Sequence, residues 1–106
     1  IYADFRKTIV PTLNPPSNLK ITHTDGSSQF TLTWDAAEAS GGSGIVTYNI
    51  EKLVNGEWGY LDVSNGLNLT ETEYRGTIPG WGKQTLAVCA TYGDLIERVS
   101  IIHNFK

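Results

Sequence analysis

The chain predicts an all-β fold, a two-sheet antiparallel β-sandwich of about seven strands. Three observations lead there. Apolar and polar residues alternate in period two along most of the 106 residues. Clusters of Gly, Asn, Asp, Ser and Pro break that alternation at roughly ten-residue intervals. No stretch of useful length carries a helical period: Asp35–Ser40 tolerates helix, but Gly41, Gly42 and Gly44 end it at once.

Taken in order, residues 1–14 read as a linker or the end of a preceding module, in which Ile1–Phe5 is a strand end. Pro11, Pro15 and Pro16 hold the chain extended, because proline restricts its own φ and the residue before it. The domain proper is expected over residues 15–106. Its first strand is Leu19–Thr24, with Leu19 and Ile21 on one face. A turn at Asp25-Gly26-Ser27-Ser28 leads to Gln29–Trp34, where Phe30, Leu32 and Trp34 point inward and Thr31 and Thr33 outward.

After a Gly/Ser loop, Ile45–Leu53 is the third strand, with Tyr48 and Ile50 inward. Asn55-Gly56 is a strong hairpin signal, because both residues tolerate positive φ. The return strand Glu57–Val63 is expected to turn Leu61 and Val63 inward and Trp58 and Tyr60 outward. Asn65-Gly66 turns again, Leu69–Ile78 supplies a further strand, and Pro79-Gly80-Trp81-Gly82 makes a corner. Gln84–Tyr92 places Leu86, Val88, Ala90 and Tyr92 on one face, which leaves Cys89 on the other. Gly93-Asp94 leads into Ile96–Ile102. Both parities of this last strand are apolar; Val99 and Ile101 are taken as inward. The expected core is therefore Phe30, Leu32, Trp34, Tyr48, Ile50, Leu86 and Val88.

The bulk properties exclude several classes of function. Net charge is −3, and the eight Lys and Arg residues are scattered, so no basic stripe offers itself to nucleic acid. No apolar run is long enough for a membrane helix. The single cysteine cannot form an internal disulfide, and no Cys/His cluster has zinc-ligand spacing. No motif for a cofactor is present, and none is expected. The absence of Met and the start at Ile1 read as a piece of a longer protein.

Catalytic motifs are also missing. Ser, His and Asp occur without a GxSxG elbow, and Cys89 lies inside a strand rather than at a helix start. His23 and His103 read as strand-end residues. Glu71 and Glu73 share a strand face, with nothing to suggest the cleft that a glycosidase carboxylate pair requires. Asp25, Asp35 and Glu38 are loop carboxylates without EF-hand spacing. Asn68-Leu69-Thr70 is an N-glycosylation sequon. The aromatics carry the one functional signal. Trp58, Tyr60 and Trp81 are candidate ligand-binding residues, because exposed rings can stack on the apolar faces of sugars.

Several pieces recur in order and spacing: Pro15-Pro16-Ser17-Asn18-Leu19, Leu32-Thr33-Trp34, Gly44-Ile45 through Tyr48 and Ile50, Gly56-Glu57-Trp58, and Ile78-Pro79-Gly80 before Leu86, Val88 and Ala90. Over residues 15–106 this order resembles the fibronectin type III family. One departure is clear. The tyrosine that such domains place two residues before the first inward aliphatic of the penultimate strand is Gln84 here. The corner is then expected to be held differently, with Trp81 folding back as one means, and a related immunoglobulin-like topology stays open. Ile1-Tyr2-Ala3-Asp4-Phe5-Arg6 also parallels Ile101-Ile102-His103-Asn104-Phe105-Lys106, as the tail of a preceding copy would.

The resemblance implies a non-catalytic spacer or scaffold module of a secreted or surface multidomain protein, beside a glycan- or peptide-degrading domain or in a phage tail. The alternative is a carbohydrate- or protein-binding module using the exposed aromatics. Neighbouring domains of the same chain are the expected partners, and the isolated domain is expected to be a monomer.

Overall fold

The computed structural model describes residues 10–106, so the expectations for Ile1–Phe5 and for its likeness to the C-terminal end lie outside the described residues. Among the described residues nine strands follow one another: β1 (Thr12–Leu13), β2 (Ser17–His23), β3 (Gln29–Asp35), β4 (Ala39–Ser40), β5 (Thr47–Val54), β6 (Glu57–Tyr60), β7 (Glu73–Thr77), β8 (Gly82–Tyr92) and β9 (Leu95–Phe105). Seven of them build two antiparallel sheets, one ordered β2-β3-β7 and the other β6-β5-β8-β9. The two-residue strands β1 and β4 pair with each other, Thr12 opposite Ser40 and Leu13 opposite Ala39.

The sheets bury their facing rows. Phe30, Leu32 and Trp34 come from β3 and Tyr74 from β7. Opposite them stand Tyr48 and Ile50 from β5, Leu86, Val88 and Ala90 from β8, and Phe105 from β9. Register explains the sharing of a face: Ile50 lies across from Val88, and Val88 from Val99, so all three point inward. The outer face of the smaller sheet is polar by the same alternation, with Thr22, Thr31 and Arg75 in one row.

Two turns show why the residues at them are what they are. Asn55 and Gly56 both take positive φ, 53° and 82°, and join β5 to β6 by a two-residue turn of the type whose twist suits a hairpin. In β2 the register slips between Ser17 and Lys20, and Asn18 sits there at φ 53° with its Nδ2 donating to Asp35 Oδ2 at 2.5 Å. A short polar side chain that bonds locally is what a left-handed bulge position favours.

Three expectations are corrected. The return strand stops at Tyr60, and Val63, expected inward, is 71% exposed. The strand expected over Leu69–Ile78 is confined to Glu73–Thr77. The last strand runs on to Phe105, whose ring is fully buried. The reason for the first two is Asp62. Its Oδ1 accepts the Ser64 and Asn65 N–H groups and its main-chain oxygen accepts Gly66 N–H, so the chain turns directly after Leu61. The segment beyond then runs along β5 without becoming a strand: Gly66 O accepts Ile50 N–H, and Leu69 exchanges two backbone bonds with Tyr48.

Tyr74 closes this region from the opposite sheet. Its hydroxyl donates to Asp62 Oδ2 at 2.9 Å. Tyr74 thus ties β7 to the turn that follows β6. Gln84 itself donates to the Trp81 main-chain oxygen at 3.1 Å and holds the corner before β8. Two further tyrosines pin the chain between β3 and β5: Tyr48 Oη accepts Ala37 N–H ahead of β4, and Tyr92 Oη donates to Gly41 O in the Gly/Ser loop.

The Asp62 bonds have a pH consequence. The Tyr74 hydroxyl, and after it the Asn65 N–H, hold the carboxyl below its ordinary value of 3.8. In acid the unfolded chain therefore takes up its proton first. The stabilisation is complete above the unfolded value and is lost as pH falls through the lowered folded one. Urea midpoints measured against pH are expected to fall more steeply below about pH 4 in the native sequence than in Asp62→Asn. Parallel curves would show that this carboxylate does not contribute.

Candidate functional site

The Asn55-Gly56 turn places β6 at the edge of the four-stranded sheet, with Trp58 opposite Leu53 and Tyr60 opposite Glu51. Both aromatics therefore share the outer face with Glu51. Tyr60 is 53% exposed, whereas Trp58 is half-buried. The difference comes from Arg98 on β9, whose guanidinium carbon lies 5.3 Å from the centre of the Trp58 ring. Such a stack uses a ring face that a sugar would otherwise occupy.

Arg98 is itself anchored. Its Nε donates to Glu51 Oε1 at 2.6 Å, and its Nη2 to Glu51 Oε2 at 3.4 Å. Glu51 is only 8% exposed, so its charge requires this partner. The bond to Glu51 raises the Arg98 pKa further, and burial opposes it. Beneath the pair lies Cys89, across from Asn49 on one side and Arg98 on the other, on the face opposite Val88 and Ala90. Burial, reinforced by the Glu51 charge and opposed by Arg98, pushes its thiol up. It is a buried neutral thiol, the opposite of an activated nucleophile.

Trp81 stands elsewhere. It is 57% exposed, and its ring meets His23 of β2 edge-on at 6.2 Å. His23 also packs on His103 and, at 5.1 Å, on Phe105, while its Nε2 lies 2.6 Å from Ser27 O. The three candidate residues are thus two neighbours on one sheet face and a third engaged with the other sheet at the end of β2.

The remaining candidates are dispersed. Glu73 pairs with Arg75 on the surface at 3.1 Å. Asp35 receives Asn18. Among the described residues no three His, Cys, Asp or Glu side chains converge as a metal site would need. Asn68 is exposed at φ 54°, with its N–H donated to Asn49 Oδ1. The concavities are shallow. One, of about 440 Å³, lies beside the β5–β6 turn and is lined by Lys52, Val54, Glu57 and Trp58. Another, of about 380 Å³, lies over Thr22, Thr31 and Arg75.

Sequence reasoning missed Arg98 and Glu51. Their signal was weak but present: a charged residue in the middle of each of two long strands, at positions where register alone decides whether they meet.

The fold and these surfaces define an all-β sandwich domain. No protein-family model and no curated protein matches the chain.

Proposed function

We propose that this chain is a fibronectin type III-like spacer or scaffold module, non-catalytic, in a secreted or surface multidomain protein. The three-plus-four partition of strands around Trp34 supports the family likeness. The observation that carries the spacer role is where the polypeptide enters and leaves. Phe105 packs on His23, and Gly26 N–H donates to Lys106 O at 2.7 Å, so the C-terminal residues lie at the far end of β2. Ser17 lies at the near end of the same strand. Neighbouring domains would therefore attach at opposite poles, separated by roughly the 35 Å that an eleven-residue strand such as β9 spans.

The test places the chain between a fluorescent donor and an acceptor protein. Energy transfer is expected to match a rigid rod of that length, and the isolated chain is expected to turn over no glycan or peptide substrate. Reporters brought to the same side, or turnover of either substrate class, would overturn the spacer role. The exposure of Tyr60 and Trp81 favours a second reading, a carbohydrate- or protein-binding module. Because Trp58 is stacked on Arg98 and Tyr60 and Trp81 lie on separate surfaces, that reading predicts that one of Tyr60→Ala and Trp81→Ala, and not Trp58→Ala, removes binding in glycan titrations followed by tryptophan emission.

A further inference from the structure

We infer that Asn55 is a site of spontaneous covalent modification, a selective deamidation point at the tip of the β5–β6 hairpin. The chain contains three places where an Asx residue precedes glycine: Asp25-Gly26, Asn55-Gly56 and Asn65-Gly66. In each, the glycine nitrogen can in principle attack the side-chain carbonyl carbon of the residue before it, since glycine offers no side chain to hinder ring closure. The attack requires that nitrogen to be free of other bonds and to have room.

Hydrogen bonding separates the three. Gly26 N–H is donated to Lys106 O at 2.7 Å, and Gly66 N–H to Asp62 O at 2.8 Å. Gly66 is also buried, and a Cβ there would press on Asp62 and Tyr74. Gly56 differs on each count. Among the described residues no backbone bond engages its N–H. Asn55 and Gly56 are both exposed, and among the described residues no heavy atom beyond its chain neighbours lies within 4 Å of where a Gly56 Cβ would stand.

The chemistry needs only water. The Gly56 nitrogen bonds to Asn55 Cγ and gives up its proton. The Cγ–Nδ2 bond breaks, and ammonia leaves with that proton. Water then adds to either carbonyl of the five-membered imide and reopens a C–N bond, giving aspartate or isoaspartate. Both products add a negative charge beside Glu57, and isoaspartate also lengthens the turn backbone by one methylene. A two-residue turn is intolerant of that insertion, so the modification loosens the strand that presents Trp58 and Tyr60.

The experiment incubates the folded chain in warm, mildly alkaline buffer and follows each site by peptide mass mapping. Conversion at Asn55 is expected to exceed that at Asn65 by about tenfold or more, because Asn65 reacts only after its turn opens. In denaturant, where both glycine nitrogens are free, the two sites are expected to convert at similar rates. Asn55→Gly keeps a residue that tolerates positive φ and is expected to abolish the dominant product while leaving Asn65 unchanged. Equal rates at the two sites in the folded chain, or an Asn55 that stays intact while Asn65 converts, would overturn the inference.

Discussion

Trp34→Ala is expected to destabilise the domain by about 3–5 kcal/mol, the range for removing a large aromatic from a packed core. The ring is 4% exposed and meets Tyr48 edge-on at 5.3 Å. It also belongs to the cluster that includes Leu32, Ile50 and Val88, so its loss leaves a void between both sheets. Among the described residues its indole Nε1 has no hydrogen-bond partner. The loss is therefore one of packing and cavity, and Trp34→Phe is expected to cost clearly less than the alanine change. Denaturant unfolding measures both, as a shift of midpoint at constant slope. A cost for Trp34→Ala within about 1 kcal/mol would mean that this ring does not fill the centre of the sandwich.

Gly76→Ala is expected to cost about 2–4 kcal/mol, combining overpacking with the loss of one partly buried hydrogen bond. A Cβ at this position would stand 2.0 Å from Tyr74 Oη and 2.4 Å from its Cζ. The Gly76 φ is not positive, so the backbone itself would accept alanine. The whole penalty comes from the ring that lies across it. Tyr74 is buried against Phe30 and tied to Asp62, and it cannot swing aside without leaving both. Burial, and secondarily the Asp62 carboxylate, also push the Tyr74 hydroxyl pKa well above its usual range, so the group stays a donor at any ordinary pH. The double variant Tyr74→Ala/Gly76→Ala tests the cause. Tyr74→Ala alone is expected to cost about 3–5 kcal/mol, and adding Gly76→Ala to it very little more. Additive penalties would place the difficulty elsewhere.

Much of this was legible residue by residue. Phe30-Thr31-Leu32-Thr33-Trp34 declares its inward face without any neighbour, because a strand alternates sides and only one parity is large and apolar. The Asn55-Gly56 turn declares itself through two residues that accept positive φ. The outward position of Trp58 follows from the same parity. Where alternation weakened, the reading weakened too. In Ile101-Ile102-His103-Asn104-Phe105 the inward row includes a histidine, which disguises the continuation of β9 to a buried Phe105. Between Leu61 and Thr72 the segment is held by Asp62 and by the edge of β5, and no periodicity records either.

The sequence alone determined the all-β class, the antiparallel sandwich and the side of the sheet to which most core residues point. These follow from local chemistry: period-two patterning, turn residues at fixed intervals and a shortage of helix-compatible stretches. The tertiary structure decided which distant residues meet. It stacked Arg98 on Trp58 and bonded it to a buried Glu51, set Trp81 against His23 instead of beside Trp58, and gave the corner before β8 to Gln84 and the turn after β6 to Tyr74 and Asp62. Those pairings depend on strand register and loop path. A shift of one residue in register would turn Arg98, Glu51, Trp58 and Tyr74 to the other face, and no local pattern on either partner strand specifies the alignment by itself.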